Sequence, residues 1–184
     1  MKLAYADPPY PGQAHQYKNH PDYGGEVDHH QLIGDLIEYD GFVLHTSSPA
    51  LGEILAIMNN YGPALGNYRV LAWVKQFASW KPGNRVQYAW EPVILKAARP
   101  PVQRPDQNKG QSSVRDWLME PMAMKKGIVG AKPKRVCWWL FDCLGAQHDD
   151  DLADLFPGSG AVTDAWQSWL TRQIPEPLEL ELRQ

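Results

Sequence analysis

Only two cysteines, Cys137 and Cys143, occur in 184 residues. Their spacing makes neither a CxxC redox pair nor a zinc site, so a reduced chain is expected. Positive charge is also scarce: 18 Lys and Arg against 21 Asp and Glu leave a net charge of −3. That balance excludes a global basic field, and any contact with a polyanion must come from a local patch. No apolar run nears the ~18 residues of a membrane helix, and no signal-like leader opens the chain, which predicts a cytoplasmic protein. What is plentiful is aromatic and imide: 8 Trp, 8 Tyr and 16 Pro. The length suits one domain, residues 1–184, with a sizeable core.

Apolar patterning alternates between strand and helix periods, which predicts an α/β sheet and no bundle. LAYAD is a first strand, and DHHQLIGDLIEY a helix opened by Asp28 with Gln31 as a capping box. GFVLHTS is a buried strand; Ser48 then caps a second helix with Pro49 at its first position and Gly62 as its stop. YRVLAWVKQ and VQYAWEPVILKA predict two antiparallel strands around the turn-rich WKPGN. The stretch from Arg99 to Ser113 has little to bury, and a helical segment is expected near VRDWL. KRVCWWLFDCLGA reads as a helix between Pro133 and Gly145, and DLADLF as a strand that feeds a loop and a last helix, AVTDAWQSWL. There is no internal repeat.

Two corners stand out. In AYADPPYP a short strand ends at Asp7, and Pro8 and Pro9 remove two backbone donors while fixing φ, so the ladder must stop there. Tyr10 is thereby held near the carboxylate of Asp7. In DLFPGSG a strand runs through Phe156, Gly158, Ser159 and Gly160 straight into an amphipathic helix. Glycines there let a ligand approach the backbone, and the helix N-terminus offers unpaired N–H groups. Taken alone, a ligand-free βα turn explains the second corner as well.

Together the two corners resemble the DNA amino-methyltransferases, which transfer a methyl group from S-adenosylmethionine to an exocyclic amino group. Asp7-Pro8-Pro9-Tyr10 is similar to that family's catalytic tetrapeptide, and Phe156-Pro157-Gly158-Ser159-Gly160 to its F-x-G-x-G cofactor turn. GAKP, with Lys132 and Pro133, resembles the Lys-Pro segment beside the methionine end of the cofactor, and Asp154 matches the acidic residue that begins the cofactor motif. The resemblance spans residues 3 to about 170. It implies a Rossmann-like methyltransferase sheet, circularly permuted in the β-type order with the catalytic motif first. It further implies methyl transfer to adenine N6 in DNA, because Asp at the first motif position suits adenine where cytosine-N4 members often carry Ser. RNA stays open as a substrate.

That chemistry explains the rigid corner. An exocyclic amino nitrogen is a poor nucleophile because its lone pair is delocalised into the ring. Asp7 and a carbonyl of the Pro-Pro corner can each accept one amino hydrogen, favouring a tetrahedral nitrogen whose lone pair is free to attack. Tyr10 can stack on a base taken out of the duplex.

Other residues invite plainer readings. Asp28, His29 and His30 form a solvated helix start in preference to a metal site, since adjacent helical side chains diverge by about 100°. Trp138, Trp139, Trp166 and Trp169 recur at helical spacing, as core residues do. Glu91, a carboxylate inside an apolar strand, needs a partner and either braces the base pocket or forms an ordinary buried pair.

Relative to the family, two parts are reduced. After the cofactor helix only IPEPLELELRQ remains, so the sheet is expected to be abridged at that edge, with Glu179 or Glu181 left to contact the ribose. The recognition region shrinks to about residues 97–130, where Arg99, Arg104, Lys109 and Arg115 are assigned to phosphate contact. Low sequence specificity, a single-stranded substrate, or a homodimer that completes the surface each follow from so small a region. The competing class is a methyltransferase-like module that binds nucleic acid or protein without catalysis.

Overall fold

The computed structural model describes residues 1–18, 24–79, 82–100, 114–122 and 131–172. Its centre is a sheet whose first strand, β1 (Lys2–Ala6), lies between β2 (Gly41–His45) and β6 (Asp151–Asp154), parallel to both. Beyond β2 come β4 (Tyr88–Lys96), β3 (Arg69–Ser79) and β5 (Trp117–Met119), giving the order β5-β3-β4-β2-β1-β6. β4 runs against both of its neighbours, whereas β5 is parallel to β3. β3 ends at Ser79 and β4 begins at Tyr88, so the antiparallel pair needs only a short connection and no crossover helix.

Helices cover both faces, which is why β1 and β2 are apolar at nearly every position instead of alternating. On one face α3 (Lys134–Leu144) and α4 (Ala161–Leu170) pack over Leu3, Tyr5, Val43, Trp73 and Val93. On the other, α1 (His29–Leu36) and α2 (Leu51–Asn59) pack over Ala4, Ala6, Phe42, Leu44 and Ile94. Phe141 contacts the rings of Tyr5, Trp166 and Trp169 edge-on, so the tryptophans at helical spacing are core residues. Trp138 is partly buried against the same cluster and donates its Nε1–H to Ala165 O at 3.0 Å.

Several local expectations hold in detail. Pro133 caps α3 in an extended conformation, and Gly145 ends it at φ 71°, where a left-handed residue is needed. Asp28 accepts from the backbone N–H groups of His30 and Gln31. The reciprocal half of the capping box is absent, because the Gln31 side chain donates forward to Asp35 at 2.8 Å.

Three expectations need correction. The segment near VRDWL is strand β5 and no helix; Ala72 N–H bonds Asp116 O, and Glu120 N–H bonds Val74 O, so the open edge of β3 captures it. The second helix starts at Leu51 behind Ala50, and Ser47, not Ser48, takes the capping bond from Ala50 N–H at 3.3 Å. It ends at Asn59, and Gly62 opens a separate 3-10 turn, Gly62–Leu65. At the far edge β6 is the last strand among the described residues, in keeping with an abridged sheet. Glu179 and Glu181 lie outside the described residues, as do Arg104 and Lys109.

Candidate active site

Parallel pairing of β1 with β6 joins two motifs that lie nearly the whole chain apart. Tyr5 is in register with Asp154, and Leu155 N–H extends the ladder to Tyr5 O at 2.9 Å. Asp7-Pro8-Pro9-Tyr10 and the turn from Phe156 to Gly160 therefore leave the carboxyl edge of the sheet side by side, where open α/β sheets bind their ligands. Pro8 is buried, while Asp7, Pro9 and Tyr10 are half-buried at the opening. The chain then turns back: Gln13 N–H bonds Tyr10 O at 2.8 Å, and Glu26 accepts from the N–H groups of Gly12 and Ala14. Glu26 thus pins the loop that carries the tetrapeptide, a role no sequence pattern indicates.

The glycine turn has the geometry a ligand cradle needs. Gly158 and Gly160 sit at φ 43° and 74°, which L side chains rarely adopt. A Cβ added at Gly160 would meet no atom of the described residues within 4 Å, so among them open space lies in front of its Cα. Gly160 is also the N-cap of α4 and, lacking a side chain, supplies no capping bond of its own. Ser159 is exposed between the two glycines. Behind the turn, Thr163 Oγ1–H donates to Asp154 Oδ2 at 3.1 Å; burial raises the Asp154 carboxyl above its usual range, with Thr163 partly offsetting it. Two strands from β6, just past the end of β2, Thr46 Oγ1 is buried with no hydrogen-bond partner among the described residues. An orphaned hydroxyl at the same edge, together with a positive-φ cradle and a helix N-terminus, fits a small polar ligand.

Lys132, from the GAKP segment, reaches the DPPY corner. Its Nζ donates to Asp7 Oδ2 at 2.6 Å, with a side chain only 6% exposed, and sits 3.5 Å from Glu91 Oε1. Glu91 in turn accepts from His45 Nδ1 at 2.8 Å and from Lys75 Nζ at 3.0 Å. His45 Nε2 meets the Tyr5 hydroxyl at 2.7 Å, and Tyr5 contacts Cys137 Sγ at 3.9 Å. Burial opposes ionisation of Glu91, but Lys132, His45 and Lys75 together hold its carboxyl well below the usual range. Burial pushes the Cys137 thiol up to about 12 and Tyr5 well above its ordinary value. Carboxylate and ring atoms of Asp7, His45 and Glu91 lie within 4.8 Å of one another, a set able to hold a cation, and the Lys132 ammonium already stands between its two carboxylates.

The basic residues assigned to phosphate separate into different settings. Arg99 makes two 2.6 Å bonds to Asp150 and one of 3.1 Å to Gly145 O, leaving its side chain 17% exposed. Arg115 is exposed, with its guanidinium over the Trp117 ring.

Comparison of the whole structure with solved structures identifies the architecture. M1.HpyAVI in complex with SAM superposes with a TM-score of 0.57 at 16% identity, covering 94% of this chain and 80% of that one. The cytosine-N4-specific PvuII DNA methyltransferase gives 0.57 at 13% identity, over 91% and 71% of the two chains. The fold is that of a DNA methyltransferase. M1.HpyAVI alone also matches, at 0.52 with 17% identity over 91% and 76%. No protein-family model and no curated protein matches the sequence. Within the methyltransferase fold, β1 carries the DPPY corner and β6 the glycine turn, on adjacent strands. No helix among the described residues is long and apolar enough to cross a membrane.

Proposed function

We propose that the protein is an S-adenosylmethionine-dependent DNA amino-methyltransferase. The observation that carries this reading is the adjacency of DPPY and the positive-φ glycine turn at the carboxyl edge of a methyltransferase sheet. Gly158, Ser159, Gly160, Phe156, Asp154 and Pro133 are the residues to hold the cofactor, which when bound supplies an activated methyl group on a sulfonium. M1.HpyAVI was solved with SAM, which supports that choice.

In this reading Asp7 accepts one hydrogen of the target amino group through the oxygen that Lys132 does not take. A Pro-Pro carbonyl accepts the other, and the nitrogen lone pair is freed from the ring. Pro8 and Pro9 keep the two acceptors at a fixed separation, so no reorganisation is needed when charge develops on nitrogen. Tyr10, half-buried at the mouth, stacks on the extruded base. The excess amino proton leaves through Asp7, which is 21% exposed and open to water.

Adenine N6 is the preferred acceptor, on the strength of Asp7 at the first motif position; the PvuII enzyme, with the same fold, is cytosine-N4-specific. Arg115, with Arg104 and Lys109, is assigned to phosphate contact. The deciding experiment pairs calorimetric titration with S-adenosylmethionine and mass spectrometry of nucleosides from DNA incubated with protein and cofactor. Appearance of N6-methyladenine is expected. N4-methylcytosine would change the acceptor, and cofactor binding with no methylated base would make the protein a binding module.

A further inference from the structure

The polar array behind Asp7 is larger than the reaction requires of its motif. A carboxylate only accepts, so His45 carries its hydrogen on Nδ1 toward Glu91, and its Nε2, in the neutral ring, takes the Tyr5 O–H. Every bond then runs in one direction, from Tyr5 through His45 to Glu91. Lys75 holds the second Glu91 oxygen. The side chains of His45, Glu91, Lys132 and Lys75 are 0%, 7%, 6% and 13% exposed, so their positions are fixed by packing as well as by hydrogen bonds. Two carboxylates, Asp7 and Glu91, face two ammonium groups, Lys132 and Lys75.

We propose that Lys132, anchored by Glu91, is the positioning residue for Asp7 and not a ligand of the cofactor. The proposal rests on the methyl-transfer reading of Asp7. A carboxylate torsion is broad and roughly twofold; a 2.6 Å bond from Lys132 to Oδ2 removes that freedom and leaves Oδ1 to the amino group. Lys132 is poorly suited to the alternative role. Its charge is countered by two carboxylates, its ammonium is buried, and a sulfonium is itself a cation. Glu91 acts one step further out: it sets where the Lys132 ammonium lies and keeps the charge of that ammonium compensated.

The test is a pair of double-mutant cycles on the full chain. Methyl transfer is measured for wild type, Lys132→Met, Asp7→Asn and the double variant, with the cofactor Kd of each by calorimetry. Asp7→Asn keeps an acceptor oxygen. Lys132→Met is expected to lower kcat by about 100-fold, the order associated with a misplaced catalytic group, while the cofactor Kd moves less than about threefold. In the Asp7→Asn background the same change should cost less than about threefold. Lys132→Arg, which preserves the charge and covers the case of a misfolded Met variant, should recover part of kcat, and Glu91→Gln should lower kcat with the cofactor Kd again held. Multiplicative losses in kcat, or a cofactor Kd raised tenfold or more with kcat intact, would overturn the proposal. Unfolding of the same four proteins supplies the independent readout, with the double variant losing less stability than the two singles combined. A wild type that binds the cofactor but methylates nothing defeats the proposed function; the pairing of Lys132 with Asp7 is then judged by the unfolding cycle, and additive losses there reject it.

Discussion

Gly160→Ala isolates what the glycine turn is for. Gly160 sits at φ 74°, and among the described residues no neighbouring heavy atom lies within 4 Å of the place an added methyl group would take. The remaining cost is conformational: a left-handed backbone costs an L-residue about 1–2 kcal/mol. For a chain of this length that corresponds to a Tm lower by roughly 2–8 °C. If the open space is the cofactor site, the methyl group intrudes on the ligand, and the cofactor Kd should rise at least tenfold, equivalent to about 1.4 kcal/mol. Gly145→Ala supplies the control. Gly145 ends α3 at φ 71°, with Arg99 Cβ at 3.4 Å as the nearest atom to an added methyl, so it carries a similar backbone cost outside the glycine turn. Differential scanning calorimetry and isothermal titration of both variants give the comparison. Similar falls in Tm with a Kd change confined to Gly160→Ala are expected. An unchanged Kd in Gly160→Ala would make the turn a structural βα connection and refute the cradle.

Asp7→Ala should abolish methyl transfer with the cofactor Kd within about threefold of wild type; residual activity within about tenfold, or ~1.4 kcal/mol of barrier, would remove Asp7 from the mechanism. Asp150 is opposed by burial, but the bonds from Arg99, the N-terminal ammonium and Gln147 N–H hold its carboxyl well below the usual range. A depressed folded value means stability that is present above the ordinary carboxylate pKa and is lost as pH falls through it toward the folded value. Asp150→Asn should therefore lose about 3 kcal/mol at pH 6, as when one partner of a buried pair is removed, and the gap to wild type in urea midpoints should narrow by pH 3; a constant gap would show that the charge is not what matters. Arg115→Ala, like Arg104→Ala and Lys109→Ala, should weaken DNA binding on every sequence and reduce the salt slope by about one unit per contact. Arg99→Ala should instead lower Tm, and a full unit of lost salt slope at unchanged Tm would return Arg99 to the DNA surface.

Much of the site was legible because its logic is local. Pro-Pro after a short strand, or a glycine-spaced turn before an amphipathic helix, constrains its own backbone wherever the rest of the chain goes. The helix from Lys134 to Leu144 was readable for the same reason, with Pro133 at one end and Gly145 at the other. Pairings set by tertiary contact were not readable. Lys132 meets Asp7 across 125 positions, and nothing in GAKP distinguishes an ammonium aimed at a cofactor from one aimed at a carboxylate. Arg99 lies in a polar, proline-rich stretch that reads as a solvated loop, yet Asp150 captures it from 51 positions away. VRDWL carries no strand alternation over three residues, and only the vacant edge of β3 decides its conformation.

Glu91 lies between these cases and shows where sequence reasoning stops. Its place within an apolar strand required a partner, since an isolated buried carboxylate is too costly to keep ionised. The identity of the partners depended on register. Trp73 opposes Glu91 across the β3–β4 pair, so Lys75, two residues further along β3, projects to the same face and reaches the carboxylate. His45 arrives from β2 at the next rung, opposite Val93, again two residues from Glu91 and on that face. Strand alternation thus collects one carboxylate, one imidazole and one ammonium on the α3 side of the sheet, and Lys132 closes the set from the residue pair that precedes α3. Asp7 is the only member of the array that reaches solvent to more than about a fifth of its side chain, at 21%. Rigidity built from buried charge is thereby delivered to the one carboxylate that the proposed reaction would bring to its substrate.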